Sequence, residues 1–273
     1  MPTSRIDGSR PPLETSQEVM RNTARALIGV AVFLVLCEIV GRSGLAPQQY
    51  LPPPSIVLQE LARMLGERDF LLDVVATALA WLIALCCCAV IAVPAGLLLG
   101  SVPLLRTAVT ALVEFLRPVP SVALIPLVVV VAAGSPAGKI FLAVYAGVWP
   151  LLFNTIYAIG EIDDQLLESA RAFRISRTQV LLRVKLPNVI PFVFTGLRLS
   201  ASTALIVLIS AEMLMGSNGG IGHYIYLASS GAGRMDQVLA GTLVAGVFGY
   251  LINAGMAGVQ RKWITWAPAG GTA

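Results

Sequence analysis

Long apolar runs separated by short polar connections dominate this chain. Val74–Gly100, Ile140–Gly160 and Gln237–Gln260 carry no charged residue. Val189–Met215 is interrupted only by Arg198 and Glu212, and Ala26–Val40 only by Glu38. A helix crosses a bilayer with roughly 20 apolar residues at about 1.5 Å each. Four of these runs meet that length, and Ala26–Val40 reaches it if tilted or extended by its flanks. The expected class is an all-α, polytopic integral membrane protein.

One stretch, Thr107–Ala133, is harder to place because it contains Glu114, Arg117, Pro118, Pro120 and Pro126. Charge asymmetry decides how to count it, since cytoplasmic loops collect Lys and Arg. If it crosses once, six spans leave both ends inside. The inner segments then hold Arg5, Arg10, Arg21, Arg25, Arg106, Arg171, Arg174, Arg177, Arg183, Lys185, Arg261 and Lys262. Only Arg42, Arg63, Arg68, Lys139 and Arg234 fall outside. Any other count puts the densest cationic cluster on the wrong side, so six spans are expected.

That cluster belongs to residues 163–187. Asp163 or Asp164 can cap a first short helix that places Leu166, Ala170 and Phe173 on one face. Ser176 and Gln179 have capping-box spacing for a second helix, which Pro187 is expected to stop after Val180, Val184 and Leu186. A basic helical hairpin at a membrane surface can dock lipid headgroups or a soluble protein, or it can be a solvated positive-inside loop. On the opposite side, Tyr50–Ser55 with its three prolines is stiff and extended, and Ser55 can cap the helix that follows. That helix places Val57, Leu61, Met64 and Leu65 on one face, with Glu60, Arg63, Glu67 and Arg68 polar, as in a helix lying along the outer surface.

Composition agrees with the pattern: 56% of the residues are apolar and 12% charged, too lipophilic for a soluble domain. The net charge of +4 reports topology. Neither an aromatic-interleaved basic surface nor zinc-finger spacing points to nucleic acid. Residues 1–25 form a polar cytoplasmic arm without the short apolar core and cleavage pattern of a secretory signal. Residues 26–262 form the membrane domain and 263–273 a short tail. Internal repeats are not evident.

Enzymatic chemistry finds little support. Cys86, Cys87 and Cys88 point about 100° apart on a helix, so they cannot converge on one metal, and no metal site is expected. Gly134–Ile140 imitates a P-loop but has three residues between its glycines where four are needed, and Ile140 replaces the Mg²⁺-binding hydroxyl. His223 is the only histidine and is expected in an external loop, and no GxSxG motif is present. No catalytic residue is assigned.

Charges inside spans are expensive and face protein or water. Glu114 and Arg117 sit at i and i+3 and can pair on one helix face. Arg198 and Glu212 are about 21 Å apart along one helix and cannot pair with each other. Arg198 either snorkels to the cytoplasmic surface or attracts an anionic solute. Glu212, near the outer end, is expected to pair across a subunit interface. Ser200, Ser202, Thr203 and Ser210 can line a pathway, although small residues equally favour close helix packing.

The order of these pieces resembles the permease subunit of a type I ABC importer, in the branch for nitrate, sulfonate and taurine. The family's hallmark is a cytoplasmic E-A-A-x-x-x-G loop followed by an apolar residue and Pro, matched here by Glu168, Ala170, Leu186 and Pro187. Ser169 replaces the second residue and Arg174 the glycine. The likeness extends to Leu51–Ser55, Glu114–Pro120, Ala123–Leu127, Lys139–Phe141, Thr195–Leu199 and Ala211–Met213. It implies a transport subunit that forms a homodimeric pore for a small anionic solute. It also implies two separate ATP-binding subunits that bind ATP and Mg²⁺, and an external solute-binding protein. Leu166, Glu168, Ser169, Ala170, Arg171, Phe173, Arg174, Leu186 and Pro187 would then form the ATPase-coupling site. Glu114, Arg117, Arg198, Ser202 and Glu212 are pathway or intramembrane-charge candidates. The competing reading is an integral membrane sensor or enzyme that uses the hairpin as an interaction module.

The six-span topology has a direct test. With Cys37, Cys86, Cys87 and Cys88 replaced, Ser135→Cys and Asn218→Cys should react with an impermeant thiol reagent from outside, and Thr178→Cys should not. External labelling at Thr178→Cys would overturn the topology.

Overall fold

The computed structural model describes residues 16–44, 47, 49–102, 104, 106–107, 109, 120–132, 135–216, 219–231 and 233–263. Helices account for every regular element among them. α1 (Ser16–Arg42), α2 (Pro54–Met64) and α3 (Arg68–Ser101) come first. A 3₁₀ turn (Ser121–Leu124) leads into α4 (Ile125–Ala132), followed by α5 (Pro136–Gly160). The hairpin supplies α6 (Asp164–Ala172) and α7 (Arg177–Val180). A π-helical segment (Leu181–Lys185) joins α7 to α8 (Leu186–Leu214), and α9 (Ile221–Gly231) and α10 (Met235–Trp263) complete the series.

Five of these stretches are long and apolar enough to cross a membrane: Ala24–Arg42, Arg68–Ser101, Pro136–Gly160, Thr178–Leu214 and Met235–Lys262. The expected sixth crossing is described only in part, where Ser121–Ala132 forms a shorter apolar helix. Glu114 and Arg117 lie outside the described residues, as do the first 15 residues and the last ten.

α5 is the central helix, packed between α3 and α8. Ala80 and Ala84 of α3, Ala143 of α5 and Ala204 and Leu208 of α8 make one buried cluster. Cys88 and Ala92 meet Leu151, Leu152 and Ile156 in a second cluster, and Ile125 and Val128 of α4 meet Leu142, Ala146, Val207 and Ala211 in a third. Alanine dominates the first cluster, as expected where helices in lipid gain by close backbone approach rather than by escaping water. A Cβ on Gly196 would come within 2.8 Å of the Asn154 Cβ and 3.1 Å of the Leu151 Cα. Backbone cannot yield there as a flexible side-chain end could.

The structure departs from expectation in four places. Ser55 does not cap α2, which has Pro53 at its N-cap with no side-chain cap. Instead Glu38 of α1 accepts from the Ser55 N–H at 3.0 Å and its hydroxyl at 2.7 Å, so a carboxylate from another helix meets the positive N-terminus. Glu60, expected on the solvated face, is buried with Val57 and Met64 against α10, while Leu65 is exposed. Glu60 is satisfied there by Gln237 Nε2 at 2.9 Å and Arg234 Nη2 at 3.2 Å. His223 belongs to α9, a helix that the external-loop reading did not anticipate.

The fourth departure is Pro187, which does not stop the hairpin's second helix. The wider π segment places it in the first turn of α8, where a missing N–H is tolerated. Asn188 Nδ2 donates to the Val184 carbonyl at 2.8 Å across the same junction. The hairpin is therefore continuous with a 37-residue helical stretch, Thr178–Leu214.

Gly196→Val should overpack the α5–α8 contact and destabilise the fold by about 1–3 kcal/mol. Thermal unfolding of the detergent-solubilised protein checks this; an unchanged midpoint would show that the contact can relax.

Candidate functional site

The hairpin is built by local rules that the structure shows in full. Asp163 Oδ1 accepts the Gln165 N–H at 2.8 Å and starts α6. At the far end the Ile175 N–H reaches the Ala170 carbonyl at 3.1 Å, the six-to-one bond of a Schellman motif. Arg174 is the left-handed residue of that motif, with φ of 53°, in the place of the hallmark glycine. It is the one non-glycine residue with positive φ among the described residues. An L side chain in that conformation costs about 1–2 kcal/mol, so the turn keeps a shape the sequence does not favour. Ser176 and Gln179 then form the expected capping box. The Gln179 N–H meets the Ser176 Oγ at 3.3 Å, and the Ser176 N–H meets Gln179 Oε1 at 3.4 Å.

This geometry splits the face expected from periodicity. Phe173 is 81% exposed at the tip and Leu166 is exposed in the first turn of α6, whereas Ala170 is only 4% exposed. Ala170 is also the residue whose carbonyl accepts the six-to-one bond. Glu168, Ser169 and Arg174 are exposed, and Leu186 and Pro187 are half-buried where the hairpin enters α8.

A second polar cluster lies at the other end of the bundle. Glu212 of α8 and Lys139 of α5 form an ion pair of 2.8 Å, with side chains 0% and 3% exposed. Thr77 Oγ1 of α3 donates to the same carboxylate at 2.9 Å, and the Gly222 N–H donates at 3.1 Å. Lys139 Nζ also reaches the Gly219 carbonyl at 3.0 Å. Asp73 accepts the Gly220 N–H at 2.7 Å, and Thr77 Oγ1 accepts the Ile221 N–H at 2.9 Å. Backbone donors at the start of α9 are thus matched by side chains from α3 and α8, two of them carboxylates. Gly220 has φ of 127°, and an added Cβ would run into the Glu212 carboxylate, so only glycine fits.

Glu212 therefore pairs within its own chain, contrary to the inter-subunit pairing expected from sequence. Lys139 had been read as an external loop cation and is instead buried in the first turn of α5. Thr77 and Asp73 carried no sequence signal beyond being polar near the start of an apolar run.

Arg198 is the third feature. Its Nε donates to Asn253 Oδ1 of α10 at 2.5 Å, part-buried between two helices. Ser202, one turn on, donates its hydroxyl to the Arg198 carbonyl at 3.3 Å. Ser200 lies on the opposite face and donates to the Gly147 carbonyl, which makes it a packing residue. Asn253 was missed, although it is the central amide in the charge-free run Gln237–Gln260.

Residues 92–264 match the model of the binding-protein-dependent transport system inner membrane component. The chain belongs to this family. A bicarbonate transport system permease protein, CmpB, of Synechococcus elongatus is 30% identical over 96% of both chains. The taurine transport system permease protein TauC of Escherichia coli is 28% identical over 87% of both. An ABC transporter permease protein of Methanocaldococcus jannaschii is 31% identical over 64% of this chain and 66%, just under two thirds, of its own length. Among solved structures, the inward-facing MetNI methionine ABC transporter superposes with a TM-score of 0.58. At 21% identity over 68% of this chain and 92% of the matched one, it supports the fold alone. The protein is a multi-pass ABC importer permease and not an enzyme, with ATP hydrolysis on a separate subunit.

The buried pair sets up a double-mutant cycle. Lys139→Met or Glu212→Gln alone strips a buried partner from the network and should cost about 3–5 kcal/mol. The double variant should lose less than the sum, with a coupling of about 1 kcal/mol or more. Unfolding midpoints of the four proteins decide it, and strict additivity would refute the coupling.

Proposed function

We propose that two copies of this chain form the translocation path of an importer for a small oxyanion-bearing solute. An external binding protein delivers the solute, and two ATPase subunits drive the cycle with ATP and Mg²⁺. Both termini and the hairpin lie on the cytoplasmic side in this reading. The single observation that carries it is the hairpin tip: a capped, hydrogen-bonded turn presenting Phe173 outward next to a continuous membrane-length helix. An exposed phenylalanine on a rigid turn suits a pocket on a soluble partner, since buried aromatic anchors dominate such interfaces. Glu168 and Arg174 supply polar contacts at the rim, and Arg171 is assigned there from its place in the motif.

The mechanism follows from continuity. When the ATPase subunits close on ATP, the two hairpins move with them, and α8 carries that movement into the bundle as a rigid lever. Anionic solutes are favoured because the relatives' names include bicarbonate and taurine, the second of which carries a sulfonate. The sensor or enzyme reading has no catalytic constellation among the described residues to support it.

Phe173→Ala should reduce uptake and binding-protein-stimulated ATP hydrolysis by about tenfold or more, the scale of losing a hot-spot contact. The quantity of permease in the membrane should remain unchanged. Reconstituted proteoliposomes give both rates, and wild-type rates with normal ATPase co-purification would defeat the docking assignment.

A further inference from the structure

Arg198 stands 12 residues beyond Leu186 and 16 before Leu214, near the middle of α8. It lies inside a stretch long and apolar enough to cross a membrane, Thr178–Leu214, and is part-buried against α10. Four cations among the described residues are paired with carboxylates. Lys139 has Glu212, Arg42 has Glu38, Arg63 has Glu60 and Glu67, and Arg234 has Glu60 and Asp236. No carboxylate among those residues lies within ion-pair distance of Arg198, whose side-chain partner is the neutral amide of Asn253. A guanidinium inside an apolar span faces protein or water, and such residues mark solute pathways.

The contact with Asn253 also fixes which donors stay available. A guanidinium has five N–H groups, and the amide oxygen takes the one on Nε. The terminal nitrogens remain, with the parallel pair of N–H bonds that matches two oxygens of one oxyanion. An amide holds the plane without neutralising the charge, which an Asp or Glu would do. The adjoining face of α8 is not covered by the rest of the chain. Thr195 and Leu199 are exposed beside Arg198 and Ile206 two turns on, with Ser202 half-buried at the margin. The Thr195 and Ser202 hydroxyls donate to carbonyls of their own helix, so they add polarity to this face without competing for the guanidinium.

We propose that Arg198, oriented by Asn253, is an oxyanion-binding subsite on the translocation path. It takes the head group shared by carboxylates, sulfonates, nitrate and bicarbonate. Arg198 touches the solute, and Asn253 is a positioning residue. The proposal rests on the importer reading above and names the residue that gives the path its charge preference.

The test avoids the unidentified solute. In the complete transporter, with Cys37, Cys86, Cys87 and Cys88 replaced, Ser202→Cys is probed with two small thiol reagents. One is a methanethiosulfonate carrying an ethylsulfonate and the other carries ethyltrimethylammonium. Each rate is divided by that reagent's rate with a free thiol. The sulfonate reagent should be favoured by about tenfold, the scale of charge focusing in a narrow polar cleft. Adding Arg198→Gln should abolish the preference, and Arg198→Lys should retain part of it. Asn253→Asp supplies a tethered carboxylate, so it should abolish the preference while the protein still assembles. If neither reagent reacts, this face is packed or in lipid and the proposal fails. A preference that survives Arg198→Gln also overturns it. Failure here leaves the Phe173→Ala result untouched, so the subsite and the importer reading fall separately.

Discussion

The buried ion pair between Lys139 and Glu212 is the constraint on which the outer half of the bundle depends. Two charges withdrawn from water are tolerated only when their mutual attraction and further hydrogen bonds replace the lost solvation. Here Thr77, the Gly222 N–H and the Gly219 carbonyl complete that requirement. The consequence is geometric. α3, α5, α8 and the start of α9 meet at one polar point, and none can shift alone without breaking a buried hydrogen bond or the ion pair itself. Apolar packing could hold the same helices together, but it would let them slide. A fully satisfied buried network fixes their register instead.

The inner half is organised differently. From Thr178 to Glu212 the chain is one helical stretch, about 51 Å long at the usual rise. It begins in the hairpin, passes Arg198 near its centre and ends in the outer network. A displacement imposed at the tip therefore reaches the middle and the far end through hydrogen-bonded backbone, without a chain of side-chain contacts to relay it. The π segment at Leu181–Lys185 and Pro191, which lacks a backbone N–H, interrupt the regular ladder along that path. The π segment lies between the docking turn and the membrane part of α8, where a change of helical register would alter how the hairpin swings.

Much of this was legible in the sequence because the governing rules are local. Apolar run length gave the long helices, and the capping box at Ser176 and Gln179 needed only its own four residues. The Asp163 cap was readable for the same reason. Tertiary choices were not readable in this way. Lys139 and Glu212 are 73 positions apart, and no periodicity links them. Ser55 has the chemistry of a cap, yet Glu38, 17 positions earlier, takes that role through space. Ala170 shares a helical face with Leu166 on paper, yet Ala170 is buried and Leu166 exposed, a difference that spacing alone does not carry. Pro187 ends helices as a general rule, and the π segment that accommodates it is not encoded by any short pattern. Errors thus fell where a distant residue or an uncommon backbone register overrode a local preference.

Arg174 shows how strongly the hairpin's shape is held. Glycine would adopt the left-handed conformation without penalty, whereas arginine adopts it at about 1–2 kcal/mol. The six-to-one hydrogen bond from Ile175 requires that turn. Abandoning it would lose the bond and displace Phe173 from the tip. The strain is therefore smaller than the cost of any relaxed alternative, and the turn survives the substitution. Under the proposed docking role the exposed guanidinium would offer the partner a polar contact that a glycine could not, so stability and docking would trade against each other at this one position.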